Sequence, residues 1–131
     1  TTNSALIDMP PFNFNNTVRF KKANWNNLVV SLKNETVLTQ KRYPNNDFFV
    51  DVLDTGEPVS TLVEISKPPK GYSLLHLNSE MSFDVFEKSK MTIGFTIQNI
   101  LNTNYRDYLN RTRYYADDLG RNFRVQLKLN Y

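Results

Sequence analysis

The sequence holds one histidine, His76, and no cysteine. A lone imidazole can ligate a metal, yet His76 stands in an alternating polar–apolar run among ordinary polar neighbours. Three acids, Asp107, Asp117 and Asp118, share a short stretch with Arg106, Arg111, Arg113 and Arg121. Such a rim could attract an anionic ligand; self-paired charges in a solvated loop are the plainer reading. Tyr105 belongs to the same stretch, and Asp107 to Tyr115 could form a short helix there. Residues 43–69 carry Phe48, Phe49, Val50, Val52, Leu53, Val59, Leu62, Val63 and Ile65, unusually apolar for a loop. They read as packing and strand extension, with ligand or partner contact as the alternative. No nucleophile–base–acid set, phosphate loop or metal-ligand spacing is present. Catalysis, a metal and a cofactor are therefore not expected. The triplets Asn15-Asn16-Thr17, Asn34-Glu35-Thr36 and Asn110-Arg111-Thr112 match glycosylation acceptors, but 17 Asn in 131 residues make such matches a chance event.

The elements that would position these residues follow period two, the signature of strands with one wet and one dry face. Phe12, Phe14, Val18 and Phe20 alternate with Asn13, Asn15, Thr17, Arg19 and Lys21. Leu28, Val30, Leu32, Thr36 and Leu38 alternate with Ser31, Lys33, Glu35 and Thr39. Leu75, Leu77, Met81 and Phe83 alternate with His76, Asn78, Glu80 and Ser82. Met91, Ile93, Phe95 and Ile97 alternate with Thr92, Gly94, Thr96 and Gln98. Phe123, Val125, Leu127, Leu129 and Tyr131 alternate with Arg124, Gln126, Lys128 and Asn130. The spacing predicts five strands over 12–21, 28–41, 72–83, 90–101 and 121–131. Short links (22–27 and 84–89) alternate with long ones (42–71 and 102–120), as in an antiparallel up-and-down meander whose two rims differ. Loops beyond about 12–15 residues are uncommon in compact domains unless they serve a function.

Ten residues at roughly 3.3 Å each, tilted near 40°, span about 25 Å, the height of the apolar band of an outer-membrane barrel. Soluble strands more often run about 5–6 residues. The expected fold class is thus all-β, a five-stranded part of a transmembrane β-barrel. Phe14, Val18, Phe20, Leu28, Val30, Leu32, Leu75, Leu77, Met81, Ile93, Phe95, Ile97, Val125, Leu127 and Leu129 would face lipid. Arg19, Lys33, Glu35, His76, Glu80, Arg124 and Lys128 would face the lumen. A mean hydropathy of −0.51 does not oppose this, because only alternate residues meet lipid. Aromatics support it: Phe20, Trp25, Phe83 and Tyr131 fall at the short-turn rim, and Phe12, Phe14, Tyr43, Tyr72 and Tyr105 at the other, as two girdles would. With 16 Lys+Arg against 13 Asp+Glu, no nucleic-acid partner is expected. The longest apolar runs are too short for a membrane helix or a signal-peptide core.

The stretch that opens Asn99-Ile100-Leu101-Asn102, continues through Tyr105-Arg106 and closes with Gly120-Arg121-Asn122-Phe123 resembles the end of TonB-dependent outer-membrane receptors. In that family an Asn-Leu-Phe-Asn-like motif closes the penultimate strand, and Gly-Arg opens the last. Leu101 and Tyr131 stand where Phe is commoner. Met9-Pro10-Pro11-Phe12 is similar to the Pro-Pro entry to a late barrel strand, and Gly71-Tyr72-Ser73-Leu74-Leu75 to the entry two strands before the end. The flavour is that of Bacteroidetes-type receptors.

The resemblance implies energised uptake of a ligand such as a ferric siderophore, haem or another large nutrient, in the outer membrane of a Gram-negative bacterium. It implies a 22-stranded barrel with an N-terminal plug, of which residues 1–131 would supply the last five strands. Implied partners are outer-membrane lipid, the rest of the receptor, the TonB system and a surface lipoprotein. Phe123 and Tyr131 would carry the barrel-assembly signal.

A chain starting at Thr1 without Met suggests a processed protein or a fragment, and five such strands cannot close. Their outer edges, at 12–21 and 121–131, should pair with polypeptide outside this sequence. The rival reading is a small soluble or surface-attached β-domain that binds a protein or ligand and packs its apolar faces into a sandwich.

Overall fold

A computed structural model describes residues 5–6, 8–54, 56–86 and 89–131. Alternation becomes sheet where it was cleanest. Strands β1 (Asn13–Lys22), β2 (Leu28–Val37), β5 (Tyr72–Phe86), β6 (Ser89–Gln98) and β7 (Asn122–Asn130) form one antiparallel sheet in the order β1-β2-β5-β6-β7. The fold is all-β, and consecutive long strands are neighbours.

The registers put each face in order, because directly paired residues project to the same side. Val18 pairs with Leu32 and Leu32 with Leu77; Leu77 pairs with Ile97 and Ile97 with Phe123. One row down, Phe20, Val30, Ser79, Phe95 and Val125 align in the same way. All fifteen positions expected on the dry side share this face. On the opposite side Arg19, Ser31, Asn78, Thr96 and Arg124 form one row, and Thr17, Lys33 and His76 another. Glu35, Glu80 and Lys128 belong to that polar face as well.

Nothing in the described residues covers the apolar face. Val18, Val125 and Leu127 are 73%, 73% and 68% exposed, and Phe20 and Phe123 more than half. The buried hydrophobic residues are Val37, Leu74 and Tyr108, all near the rim of the long connections.

At the other rim the β1–β2 turn uses Asn26 and Asn27 at φ 49 and 53. Asparagine tolerates this left-handed region better than other non-glycine residues. Four of the five non-glycine residues with positive φ among the described residues are asparagines. That accounts for part of the skew toward Asn in a chain with 4 Gly. The Asn26 carbonyl then accepts from Ser82 N (2.8 Å), tying the turn to β5, while Lys22 lies 3.9 Å over the Trp25 ring.

Three expectations change. Residues 42–71 are not bare loop: β3 (Phe48–Asp54) and β4 (Glu57–Val63) form a separate two-stranded hairpin. The second strand stops at Val37, where Gly71 approaches so closely that a Cβ there would lie 2.7 Å from the Val37 carbonyl oxygen. Gly71 N donates to Thr39 Oγ1 (2.7 Å) beside it. The fifth strand in chain order runs on to Phe86, past the expected 83, leaving only 87 and 88 before β6.

Candidate functional site

The 99–121 connection is closed at its base by two asparagines. Asn99 is 2% exposed with φ 50; its side chain donates to the Thr103 carbonyl and accepts from Thr103 N, both at 2.8 Å. Asn102, at φ 53, accepts Arg121 N on Oδ1 (2.8 Å), and Arg121 Nε donates to the Ile100 carbonyl (2.8 Å). A carboxamide is both donor and acceptor, so one residue type supplies the left-handed turn and the clamp. A Cβ at Gly120 would meet Asn102 Oδ1 at 2.8 Å, so a side chain there would push the Asn102 clamp aside. The φ of Gly120 is not positive, so left-handed backbone freedom is not what calls for a glycine here.

Above that base most charged groups are held within the loop, while Arg113 Nε is buried without a partner. Arg106 pairs with Asp117 (2.6 Å) and donates to the Arg113 carbonyl (2.9 Å). Asp107 accepts from the Tyr72 hydroxyl (2.7 Å) and from Leu109 N (2.8 Å). Asp118 accepts from Asp107 N (2.7 Å) and from the Asn110 amide (2.6 Å). Arg113 lies over the rings of Tyr108 and Tyr114, at 4.5 and 4.7 Å. Burial, then the nearby charges of Asp118, Glu35 and Asp107, push the Tyr105 hydroxyl above its ordinary pKa. Of the seven candidates in this loop, Tyr105, Arg106, Asp107, Arg113, Asp117 and Asp118 thus build the loop itself. Arg111 alone is exposed and without an ion pair among the described residues. The expected short helix is one 3-10 turn, Arg111–Tyr114, capped by Asn110.

Tyr72 does not join an aromatic girdle. Its register with Val37 places it on the polar face, where its ring lies 4.5 Å from Tyr105. The connection therefore folds over the polar side of the sheet and shades Leu74 there. Phe48 and Phe49 point to opposite faces of the hairpin and are 47% and 70% exposed.

Farther down the polar face, Thr17, Arg19, Ser31, Lys33, His76 and Thr96 border a concavity of 370 Å³. Glu35 holds Lys33 at 2.9 Å. Asn99 N donates to His76 Nδ1 (3.4 Å), so the neutral ring carries its proton on Nε2, which is buried without a partner. Among the described residues no three His, Cys, Asp or Glu side chains converge. Arg19, Lys21, Arg124 and Lys128 carry no ion pair among the described residues.

The site is thus a polar wall topped by a self-clamped loop. Sequence reasoning found the charged residues of both. It missed Asn99, Asn102 and Arg121 as clamps, although the family-like motif pointed at those positions. Compared with protein-family models, curated proteins and solved structures, the chain shows no match to any of the three.

Proposed function

We propose that this chain forms part of the wall of a transmembrane β-barrel in a bacterial outer membrane, with its apolar face in lipid and its polar face toward the lumen. The observation that carries the reading is the sheet with one continuous, uncovered apolar face and one continuous polar face. Soluble monomers rarely expose apolar patches beyond a few hundred Å², and lipid is the solvent that makes such a face stable. The two long connections share one rim and the short turns the other, which suits outer loops and inner turns. A soluble sandwich would need a second sheet over Phe95 and Val125. The only other sheet described, β3–β4, makes no contact with the five strands.

Within that class we assign the chain to energised import of the TonB-dependent kind. Support comes from the motif residues: Asn99, Asn102, Gly120 and Arg121 clamp the loop between the last two strands, a role that suits the positions the resemblance gives them.

Two measurements test the reading. The native protein should fractionate with outer membranes and migrate differently on gels before and after boiling; full extraction into detergent-free buffer would refute it. Uptake of a panel of ferric complexes should require both this protein and TonB; uptake that needs the protein but not TonB would retain the barrel and remove the energised mechanism.

A further inference from the structure

On β1, β2 and β5 the apolar face gives way before the strands reach the rim of the long connections. Asn16 lies two residues from Val18 on that face and pairs with Asn34, two residues from Leu32. One row nearer the rim, Thr36 pairs with Ser73. Their hydroxyls lie 2.9 Å apart, and the Asn34 amide donates to Thr36 Oγ1 at 3.2 Å. Phe14 and Leu75 flank this polar step. Carboxamides are costly in hydrocarbon, and strand pairing does not ask for them.

Beyond the step the chain turns basic. The two legs that leave β2 and enter β5, residues 38–46 and 66–71, carry Lys41, Arg42, Lys67 and Lys70 and no acid. All four are exposed, and none has an ion pair among the described residues. The other long connection differs, since Asp107, Asp117 and Asp118 stand among its arginines. Where the legs meet the step, Thr36, Leu38, Thr39, Lys70 and Ser73 border a concavity of 530 Å³. An ammonium, hydroxyls and an aliphatic side chain thus share one hollow.

Along one side of the sheet the order is therefore aliphatic, then amide and hydroxyl, then cationic. We propose that this rim binds a phosphorylated glycolipid of the outer leaflet. Its acyl chains would lie on the apolar face, its sugar on Asn16, Asn34, Thr36 and Ser73, and its phosphate at Lys70. This rests on the barrel reading, which turns the long connections outward. Basic pockets beside a lipid-facing surface suit anionic headgroups. A glycerophospholipid would leave two rows of amides and hydroxyls without a saccharide, and a free sugar phosphate would leave Val18, Leu32 and Leu77 without a chain.

The test uses the assembled protein, extracted from outer membranes in detergent and stripped of lipid. It is titrated with lipid A, dephosphorylated lipid A, phosphatidylglycerol or soluble glucosamine phosphate, and the temperature at which its heat-shifted gel migration disappears is read. Lipid A should raise that temperature at the lowest concentration. Lys70→Glu should weaken the apparent affinity for lipid A about tenfold, the factor for one lost charge-assisted hydrogen bond, and Lys70→Arg should restore most of it. Asn34→Leu suits hydrocarbon better than asparagine does, so it should keep the heat-shifted form and still weaken lipid A. If any of the other three compounds matches lipid A, or if its affinity is indifferent to both Lys70→Glu and Asn34→Leu, the proposal is overturned. The two readings fail separately: a native protein with no heat-shifted form loses the barrel, and a heat-shifted form that lipid A leaves unchanged loses the glycolipid site alone.

Discussion

Asn102 shows how one side chain sets the shape of a loop. It holds φ 53 and accepts Arg121 N at 2.8 Å, so Asn102→Ala loses the clamp and strains the backbone. A left-handed non-glycine residue costs about 1–2 kcal/mol and a lost hydrogen bond about 1. Asn102→Gly should keep the conformation and lose only the bond. Amide exchange at Arg121 should therefore quicken more in Asn102→Ala than in Asn102→Gly, and the reverse order would contradict the assignment. Roles of this kind were only half legible in the sequence. The resemblance of Asn99, Asn102 and Gly120 to a family motif marked a loop base, but which side chain faces which backbone group depends on φ values that no periodicity carries. Tyr72 teaches the same point: an aromatic at a rim reads as a girdle until the register places it on the polar side, hydrogen-bonded to Asp107.

Five strands were legible because each alternates apolar with polar residues; the hairpin β3–β4 was not, because its apolar residues fall on both of its faces. Phe48, Val50 and Val52 lie on one face, Phe49 and Leu53 on the other, and all are exposed, so the run Phe48-Phe49-Val50 has no period to read. Its base is pinned instead. Asp47 Oδ1 accepts from Ile65 N and Ser66 N, both at 2.8 Å. Hydrogen bonds from the Ser66 side chain and backbone, and then from Ile65, hold its pKa below the ordinary 3.8. A depressed carboxyl stabilises the fold above the unfolded value and loses that contribution as pH falls through the folded one. Acidification below about pH 4 should thus lower the protection of the Ile65 and Ser66 amides relative to their intrinsic exchange, and Asp47→Ala should remove that loss of protection; an unchanged protection profile in that variant would assign the pin elsewhere. Strand β7 offers a second check. Leu127→Arg should destabilise the membrane-inserted protein by about 2–4 kcal/mol, against little for Gln126→Arg one residue away. Leu127→Trp should be tolerated in fluid lipid, whereas a close-packed soluble core would lose about 1–3 kcal/mol to overpacking; equilibrium unfolding in vesicles decides between them.

At the scale of the whole sheet, the two outermost strands carry the remaining consequence. β1 and β7 each have one neighbour, β2 and β6, and the free side of each exposes backbone N–H and C=O groups. In water such an edge is an aggregation hazard; in hydrocarbon each unsatisfied group costs several kcal/mol, which no spanning structure bears along a whole strand. On the proposed barrel reading the apolar face lies in hydrocarbon, and both edges would then have to be paired. Hydrogen exchange on the native protein in outer membranes is the direct readout. Amides throughout Asn13–Lys22 and Asn122–Asn130 should be protected as strongly as those of the central strand Tyr72–Phe86, including the alternate amides that point away from β2 and β6. If those outward amides exchange freely while the central ones are protected, the edges are open and the sheet is not a wall of a closed barrel, whatever its apolar face suggests.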